Sequence, residues 1–347
     1  MSDHSLKREK EVPTTGEIIP PNSRRENRML IAALPIAASA LALGYAGISF
    51  LVAIQVVRYQ PKKVIKTPAD VGLSYRDISF HSRENNLLLR GWFIPGVLPG
   101  RQLTTERAII MVHGLHSNRE ALEAGLLDLS AALARQGFAI LTFDLRGHGQ
   151  SAPAPLSMGY FEQQDVLGAV DFLRSGSLPY PELGRPRAIG GWGISLGGAS
   201  VLLAAAQEPA ILGVVADCAF AAIVTLLEKD PKIPGVFIPG VITALRLLYG
   251  IDFQAVRPVD VVASIAPRPL FFIQSGDDKI VPPWNMDLLA AAASSAPDAR
   301  VQTWLIPGAD HIQAYHAMGT AYVNRVVAFF TDALGPPYTI PCLSMSC

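Results

Sequence analysis

The stretch Gly191-Trp192-Gly193-Ile194-Ser195-Leu196-Gly197-Gly198 joins a predicted strand to a predicted helix. It contains the pattern Gly-x-Ser-x-Gly, whose small flanking residues let the backbone turn sharply between the two elements. A serine on such a turn is exposed above the edge of a sheet, and the helix N-terminus behind it favours developing negative charge. A glycine-rich turn with an ordinary serine is the alternative. The strand–turn–helix setting favours a nucleophilic hydroxyl at Ser195.

On both sides of this turn, short apolar runs alternate with helix-like stretches. Continuous apolar runs of this length are typical of strands buried on both faces, and their alternation with helices predicts βαβ units and a parallel sheet. The first two runs flank Asn85-Asn86 and predict a hairpin. The predicted strands are residues 73–80, 87–94, 108–112, 139–143, 188–192, 213–216, 270–274 and 301–305, and the predicted helices are residues 119–136, 160–174, 196–207, 285–293 and 317–333.

A serine nucleophile needs a base, and the base needs a group that orients it. On this architecture the three follow in the order Ser, Asp or Glu, His. The predicted strand at 270–274 runs into a polar turn with Asp277 and Asp278, where a carboxylate would stand at the C-terminal edge of the sheet. His311 follows the last predicted strand and could reach both Ser195 and the carboxylate. Either aspartate fits the acid role, and His316 is a second histidine close by in the sequence.

Backbone N–H groups are expected to bind the oxyanion that a serine attack creates. One comes from the residue after the nucleophile and the other from the loop after the third strand. Leu196 is the first, and the segment Met111-Val112-His113-Gly114-Leu115 supplies the second through the Leu115 N–H. Removing such a donor typically costs about 2.7–4 kcal/mol of transition-state stabilisation. His113 could act as a second base, but its place before Gly114 at a strand end favours a structural role.

These motifs together resemble the α/β-hydrolase-fold serine hydrolases. The matching segments are His113-Gly114, Asp144-Leu145-Arg146-Gly147-His148-Gly149-Gln150-Ser151, Gly193-Ile194-Ser195-Leu196-Gly197, Asp278-Lys279-Ile280-Val281-Pro282 and Gly308-Ala309-Asp310-His311, in the family's order over roughly residues 73–333.

The resemblance implies a triad of Ser195, His311 and Asp278, because Asp278 lies three residues before the Val-Pro pair. It implies that Asp144, Arg146 and His148 lie in a structural loop beside the site. Gln274-Ser275-Gly276 departs from the common Ile-His-Gly, which leaves Asp277 as a lesser candidate. The fold class expected is therefore α/β, a mostly parallel sheet with helices on both faces, over residues 73–334.

Residues 219–257 resemble the modest cap of membrane-anchored relatives of the Bem46 and α/β-hydrolase-domain-containing type. The interval is rich in Ile, Val, Leu and Phe. Packing of core and lid explains such residues, and so does the wall of an acyl-chain pocket or a surface that touches lipid. A large exposed apolar patch would favour the second interpretation.

Residues 29–57 contain no charged residue and are longer than the ~20 residues that cross a bilayer. They predict an uncleaved single-pass transmembrane helix, with a cleaved signal peptide or a buried core helix as alternatives. Basic residues flank both ends, so orientation is weakly determined, and we expect the large domain on the extracytoplasmic side. Residues 1–28 are predicted to be a disordered polar tail, 58–72 a linker and 335–347 an irregular tail.

Composition limits the remaining functions. Lys plus Arg and Asp plus Glu both number 29, so the net charge is zero, which argues against a nucleic-acid binder that works by bulk electrostatics. The three cysteines, Cys218, Cys342 and Cys347, cannot form a disulfide framework and lack zinc-site spacing. No metal or organic cofactor is expected.

The sequence therefore predicts a membrane-anchored hydrolase of carboxylic esters or thioesters, including lipid-derived ones, that works through an acyl-enzyme. A serine peptidase of the aminopeptidase kind is the rival, for which Glu228 and Asp230 in the cap could bind a free amine. An acyltransferase, or a non-catalytic binding protein on the same fold, are further alternatives.

Overall fold

The computed structural model describes residues 21–230 and 233–336, which fall in two compact units divided between Ile48 and Ser49. The strands are β1 (Arg76–His81), β2 (Leu88–Ile94), β3 (Gly96–Val97), β4 (Leu103–Thr104), β5 (Arg107–Val112), β6 (Ala139–Phe143), β7 (Ala188–Ile194), β8 (Ile211–Asp217), β9 (Leu270–Ser275) and β10 (Val301–Ile306). The α-helices are α1 (Pro21–Val57), α2 (Leu126–Ala134), α3 (Glu162–Arg174), α4 (Leu196–Gln207), α5 (Ile223–Lys229), α6 (Ile238–Tyr249), α7 (Pro258–Val261), α8 (Trp284–Ser294), α9 (Ala314–Met318) and α10 (Thr320–Leu334).

Eight strands form one sheet in the order β1-β2-β6-β5-β7-β8-β9-β10. The strands from β6 to β10 all pair in parallel, whereas β1 and β2 form an antiparallel hairpin that joins the sheet at β6. Every residue of β5, β6, β7 and β9 is buried, because helices cover both faces. The predicted α/β class, the hairpin and the mostly parallel sheet are confirmed.

The predicted strands match observed ones to within a few residues, but two predicted helices differ. The helix expected over 119–136 begins only at Leu126, because Ala121 and Gly125 have φ of 32° and 68° and break the helical path. The helix expected over 317–333 is instead two helices, α9 and α10, separated at Gly319, whose φ is 48°. Sequence periodicity does not detect single left-handed residues of this kind.

Helix α1 contains one segment, Ile31–Val57, that is long and apolar enough to cross a bilayer. Its large side chains up to residue 48 are exposed, Leu34 by 67% and Leu41 by 76%, which contradicts the alternative of a buried core helix. The helix begins at Pro21 rather than Met29, so the predicted disordered tail is wrong for residues 21–28. Proline at the start of a helix is pre-organised for it, and no breaker follows before the apolar run. Residues 1–20 of that tail lie outside the described residues.

The last turns of α1, from Ser49, belong to the unit that contains the sheet. Ala53 and Val57 are buried in its core, and the Val57 carbonyl accepts a hydrogen bond from Leu156 N–H (3.1 Å). The predicted linker 58–72 is also bound along its length, because Glu120 accepts hydrogen bonds from the N–H groups of Ile65 (3.0 Å) and Lys66 (2.6 Å). Residues 49–72 therefore form part of this unit rather than a free connection.

The cap interval presents two faces. Ile238, Val241 and Leu245 of α6 are buried in the core beneath it, which fits the packing interpretation. Val236 and Leu247 are 68% and 71% exposed, so part of the interval is an apolar surface. Of the predicted C-terminal tail, residues 337–347 lie outside the described residues.

Candidate active site

Ser195 stands between β7 and α4 in a backbone conformation that few residues adopt. Its φ of 54° and ψ of −119° lie outside the usual regions, and its N–H donates to the Asp217 carbonyl (2.8 Å) of the neighbouring strand. The glycines make this turn possible: a Cβ on Gly193 would lie 2.4 Å from the Gly197 oxygen, and one on Gly197 would lie 2.2 Å from the Val112 oxygen. The Gly-x-Ser-x-Gly pattern thus forms the sharp turn expected of it.

The structure brings Ser195, His311 and Asp278 together in one hydrogen-bonded chain. His311 Nε2 lies 3.0 Å from Ser195 Oγ, and His311 Nδ1 lies 2.6 Å from Asp278 Oδ2. These three residues come from the ends of β7, β9 and β10, which meet at one edge of the parallel sheet. The geometry fits a base that accepts the serine proton through Nε2 while a carboxylate holds the proton on Nδ1.

The competing residues lie elsewhere. Asp277 is exposed and joins the site only through its backbone N–H, which donates to the Ala309 carbonyl (2.9 Å). Asp310 is exposed, and His316 is exposed on α9 with its ring against Tyr315. The alternatives for the acid and the base are therefore not part of the hydrogen-bonded chain.

Asp278 is buried and held by main-chain and side-chain donors. Its Oδ1 accepts from the N–H groups of Ile280 (2.9 Å) and Val281 (2.8 Å). Gln274 Nε2 donates to Asp278 Oδ2 (3.2 Å) and to the Val281 carbonyl (2.9 Å), so this amide fixes the acid loop from inside. In the sequence, Gln274 stands out only because Gln274-Ser275-Gly276 departs from the common Ile-His-Gly. Its polar side chain in an apolar strand was the signal that it contacts the acid.

The two residues whose backbone N–H groups are predicted to bind an oxyanion both lie beside Ser195, since Leu115 lines the same cavity and Leu196 follows Ser195 in the chain. Leu196 is the first residue of α4, so its N–H has no acceptor one turn back. No protein acceptor within the described part of the chain binds the Leu115 N–H. His113 Nδ1 lies 2.7 Å from the Gly114 carbonyl, and His113 Nε2 accepts from Leu145 N–H (3.0 Å). Burial lowers the pKa of His113 to about 4, so the ring stays neutral and orients the Gly114–Leu115 peptide instead of acting as a base.

A cavity of about 160 Å³ opens at Ser195 and His311. Its wall is largely aliphatic, and one carboxylate, that of Glu123, reaches it. Lys62 Nζ lies 3.5 Å from Glu123 Oε1, so part of that charge is compensated. Ile280 at the cavity is 66% exposed and forms an apolar rim. The lining residues are Gly114, Leu115, His116, Ser117, Ala121, Glu123, Ala124, Ile194, Ser195, Ile280, His311 and Ile312.

A second acid lies behind the hydrogen-bonded chain and was missed by sequence reasoning. Asp217 ends β8, is buried, and accepts a hydrogen bond from Tyr322 Oη (2.7 Å), which in turn accepts from Trp192 Nε1 (3.1 Å). Burial raises the pKa of Asp217 to about 6 against the opposing effect of the Tyr322 hydrogen bond. Asp217 therefore takes up a proton at a higher pH than an ordinary aspartate does.

The segment from Asp144 to Ser151 supports the loops around the site. Asp144 accepts from the N–H groups of Arg119 (2.7 Å) and Gln150 (2.8 Å), and buried Arg146 pairs with Asp165 (2.6 Å). His148 packs its ring against His113, with centroids 5.0 Å apart. These contacts fit the structural role predicted for Asp144, Arg146 and His148.

Solved structures with the same chain path identify the fold. The esterase Pf2001 of Pyrococcus furiosus superposes with a TM-score of 0.64 at 23% identity, over 80% of this chain and 100% of that chain. An acylaminoacyl peptidase of Pyrococcus horikoshii superposes with a TM-score of 0.57 at 18% identity, over 77% of this chain and 43% of that chain. The protein has the α/β-hydrolase fold. Ser195 lies at the strand–helix turn where this fold can expose a nucleophile.

Sequence comparisons agree with the fold. Residues 104–250 match the family described as "Serine aminopeptidase, S33", a range that includes Ser195 but neither Asp278 nor His311. The protein YqkD of Bacillus subtilis is 28% identical over 186 residues. That match covers 51% of this chain and 57% of YqkD, so the chain spans little more than half of this relative. The membrane-anchored Bem46-like type stays a prediction.

Proposed function

We propose that this α/β hydrolase is a serine hydrolase that cleaves carboxylic esters or thioesters through an acyl-enzyme. The observation that carries the proposal is the hydrogen-bonded chain from Ser195 Oγ through His311 to Asp278, with distances of 3.0 and 2.6 Å. The serine is partly accessible at a cavity, whereas the carboxylate is buried. A nucleophile must reach the substrate, and the carboxylate that orients the histidine need not.

The proposed reaction has two halves. His311 Nε2 takes the Ser195 proton while Oγ attacks the carbonyl carbon, and the Leu115 and Leu196 N–H groups bind the oxyanion. His311 then gives the proton to the leaving alcohol or thiol, which departs and leaves the acyl group on Ser195. Water enters, gives its proton to His311 and attacks the acyl carbon. The acid is released when the proton returns to Ser195.

An apolar acyl group fits the cavity best. Its wall combines Leu115, Ile194, Ile280 and Ile312, and a volume of about 160 Å³ is small beside typical ligand pockets of ~300–1,000 Å³. A short or medium acyl group would lie inside, and a longer chain would continue over exposed Ile280. Apolar wall residues favour esters and thioesters over substrates with charged acyl parts.

An amide hydrolase is the second candidate, and Glu123 is the observation that favours it. This carboxylate reaches the cavity and could bind a free amine beside the scissile bond. The match to a serine aminopeptidase family supports the same alternative. Lys62 already contacts Glu123, and Glu228 is exposed on α5, so the ester remains the preferred substrate.

A fluorophosphonate probe tests the nucleophile. The full-length protein in detergent should be labelled stoichiometrically, and Ser195→Ala should abolish labelling. Ser117→Ala is the matched control, since Ser117 lines the same cavity, and it should keep full labelling. Hydrolysis of p-nitrophenyl esters of increasing chain length, beside aminoacyl amides, then separates the two substrate classes. Labelling that survives in Ser195→Ala would contradict the proposal.

We further propose that α1 anchors this hydrolase in a membrane, on the support of its length and hydropathy. Ile31–Ile48 alone would extend about 27 Å as a helix, close to the ~30 Å of a bilayer's hydrocarbon core. An anchor would keep the active site near lipid-borne esters. The extracytoplasmic placement of the hydrolase unit remains part of this proposal.

A further inference from the structure

Cys218 contributes a thiol to the edge of the candidate active site without a place in the proposed reaction. Its Sγ, a carboxylate oxygen of Asp278 and a ring nitrogen of His311 all lie within 4.8 Å of one another. Cys218 and Asp278 are buried, and the His311 side chain is 14% exposed, so the cluster connects to the cavity through the imidazole.

The backbone fixes this thiol in place. Cys218 follows β8 with φ of 49°, in the left-handed region, and its N–H donates to the Ile273 carbonyl (2.9 Å) of β9. The thiol lies 3.5 Å from Ser275 Oγ. A soft sulfur ligand is thus held beside an imidazole and a carboxylate, which is a ligand set that zinc uses in proteins.

We propose that Cys218, Asp278 and His311 bind a thiophilic divalent cation such as Zn²⁺, and that this binding switches the hydrolase off. On binding, the Cys218 S–H bond breaks, its proton leaves to solvent, and a metal–sulfur bond forms. His311 supplies Nδ1, whose proton passes to Nε2 as the ring changes tautomer, and Asp278 supplies a carboxylate oxygen. No electron is transferred in this exchange.

Distances and charges support the site. Zinc bonds of about 2.0–2.3 Å in a tetrahedral shell set ligand atoms roughly 3.5 Å apart, so movements of about 1 Å close the present cluster around an ion. One thiolate and one carboxylate neutralise a dication. Asp217, adjacent to Cys218, has a buried Oδ1 with no hydrogen-bond partner among the described residues, which adds negative character behind the site.

Binding must inhibit because two ligands belong to the hydrogen-bonded chain. A cation on His311 Nδ1 displaces the hydrogen bond to Asp278 and leaves the ring proton on Nε2, the nitrogen that faces Ser195 Oγ. His311 then cannot accept the serine proton. The inhibition arm of this inference rests on the proposed function, whereas the binding arm does not.

Two measurements on the full-length protein in detergent test the two arms. Cd²⁺ titration should produce the ultraviolet thiolate-to-cadmium charge-transfer band with one equivalent bound at this site, and Zn²⁺ should inhibit ester hydrolysis. Cys218→Ala should weaken both effects by roughly tenfold to hundredfold, the usual loss when metal-site partners are removed. Cys342→Ala/Cys347→Ala is the matched control, which removes the other two thiols and should leave both effects unchanged.

Each outcome decides a different point. Inhibition and a cadmium band of equal strength in Cys218→Ala would overturn the site. If the chain hydrolysed no ester, the cadmium band would still test binding, so failure of the proposed function is distinguishable from failure of this inference. Should Cys218→Ala not fold, Cys218→Ser keeps the side-chain size but lacks the soft ligand, and it should show the same weakening.

Discussion

Gln274 is a single buried side chain that holds the candidate acid from within the sheet. It reaches Asp278 and the Val281 carbonyl from within β9 and does not line the cavity. Hydrogen bonds to charged groups contribute about 1.5–3 kcal/mol, so Gln274→Leu should lower kcat for ester hydrolysis roughly tenfold to hundredfold with little change in KM. Gln302→Leu, on the exposed face of β10, is the control. An unchanged kcat would mean that the backbone donors of Ile280 and Val281 suffice to hold Asp278.

His148 makes stability depend on pH. Burial, together with repulsion from His113, lowers the pKa of His148 to about 3. The unfolded chain binds a proton near pH 6.5 that the folded chain does not, so His148 costs stability progressively as the pH falls from about 6.5 towards 3. Each extra proton that the unfolded chain binds lowers the free energy of unfolding by about 1.4 kcal/mol for every pH unit of acidification.

Comparison of His148→Gln with the unsubstituted protein isolates this contribution. Asp217, whose pKa is raised, opposes the trend between its unfolded and folded values, but it is present in both proteins and cancels. Denaturant unfolding at several pH values should show that the free energy of unfolding of the variant falls less on acidification. The difference in slope should be about 1.4 kcal/mol per pH unit, the value for one proton. Parallel stability curves from pH 7 to 4 would show that His148 is protonated in the folded state as well.

At the scale of elements, the approach of α4 to β5 decides where Ser195 stands. A Cβ on Gly197 would lie 2.2 Å from the Val112 carbonyl and 2.5 Å from the His113 carbonyl, both backbone atoms that do not move easily. Gly197→Ala should therefore destabilise the fold by about 1–3 kcal/mol and displace the helix that carries the Leu196 N–H. Thermal unfolding and fluorophosphonate labelling rates measure the two effects. Gly235→Ala, where a Cβ meets nothing within 4 Å, should change neither, and equal behaviour of the two variants would contradict the steric argument.

The elements near Ser195 could be predicted because their signals are local. A buried strand, two glycines and a helix follow one another in the sequence, and the order of serine, aspartate and histidine follows from strand order. Asp217 escaped because its partner, Tyr322, lies 105 residues further along the chain. The partners of Gln274 are only four and seven residues away, but a sequence does not show that the turn after β9 folds back onto this side chain. The helix predicted from residue 119 failed for the opposite reason: Ala121 looks helical in sequence, yet its φ is 32°.

On the scale of the whole molecule, the boundary of the unit that contains the sheet lies earlier than the sequence predicts. The predicted domain begins at residue 73, but Ala53 and Val57 are already in the core, and Glu120 binds the backbone of Ile65 and Lys66. Residues 49–72 thus close one side of the unit that holds the site, and Tyr59 Oη donates to the Ser117 carbonyl (3.4 Å) at the cavity wall.

Two truncations and the full chain test this boundary and the anchor together. The full-length protein should require detergent for extraction, whereas a fragment of residues 49–336 should be soluble and keep fluorophosphonate labelling. A fragment of residues 73–336 exposes the core that Ala53 and Val57 cover, at about 25 cal/mol per Å² of apolar surface, and loses the Glu120 contacts. It should unfold several degrees lower, since about 1 kcal/mol shifts the midpoint by ~2–4 °C in a domain of this size or smaller. Equal midpoints for the two fragments would restore the linker interpretation, and extraction of the full chain without detergent would contradict the membrane anchor.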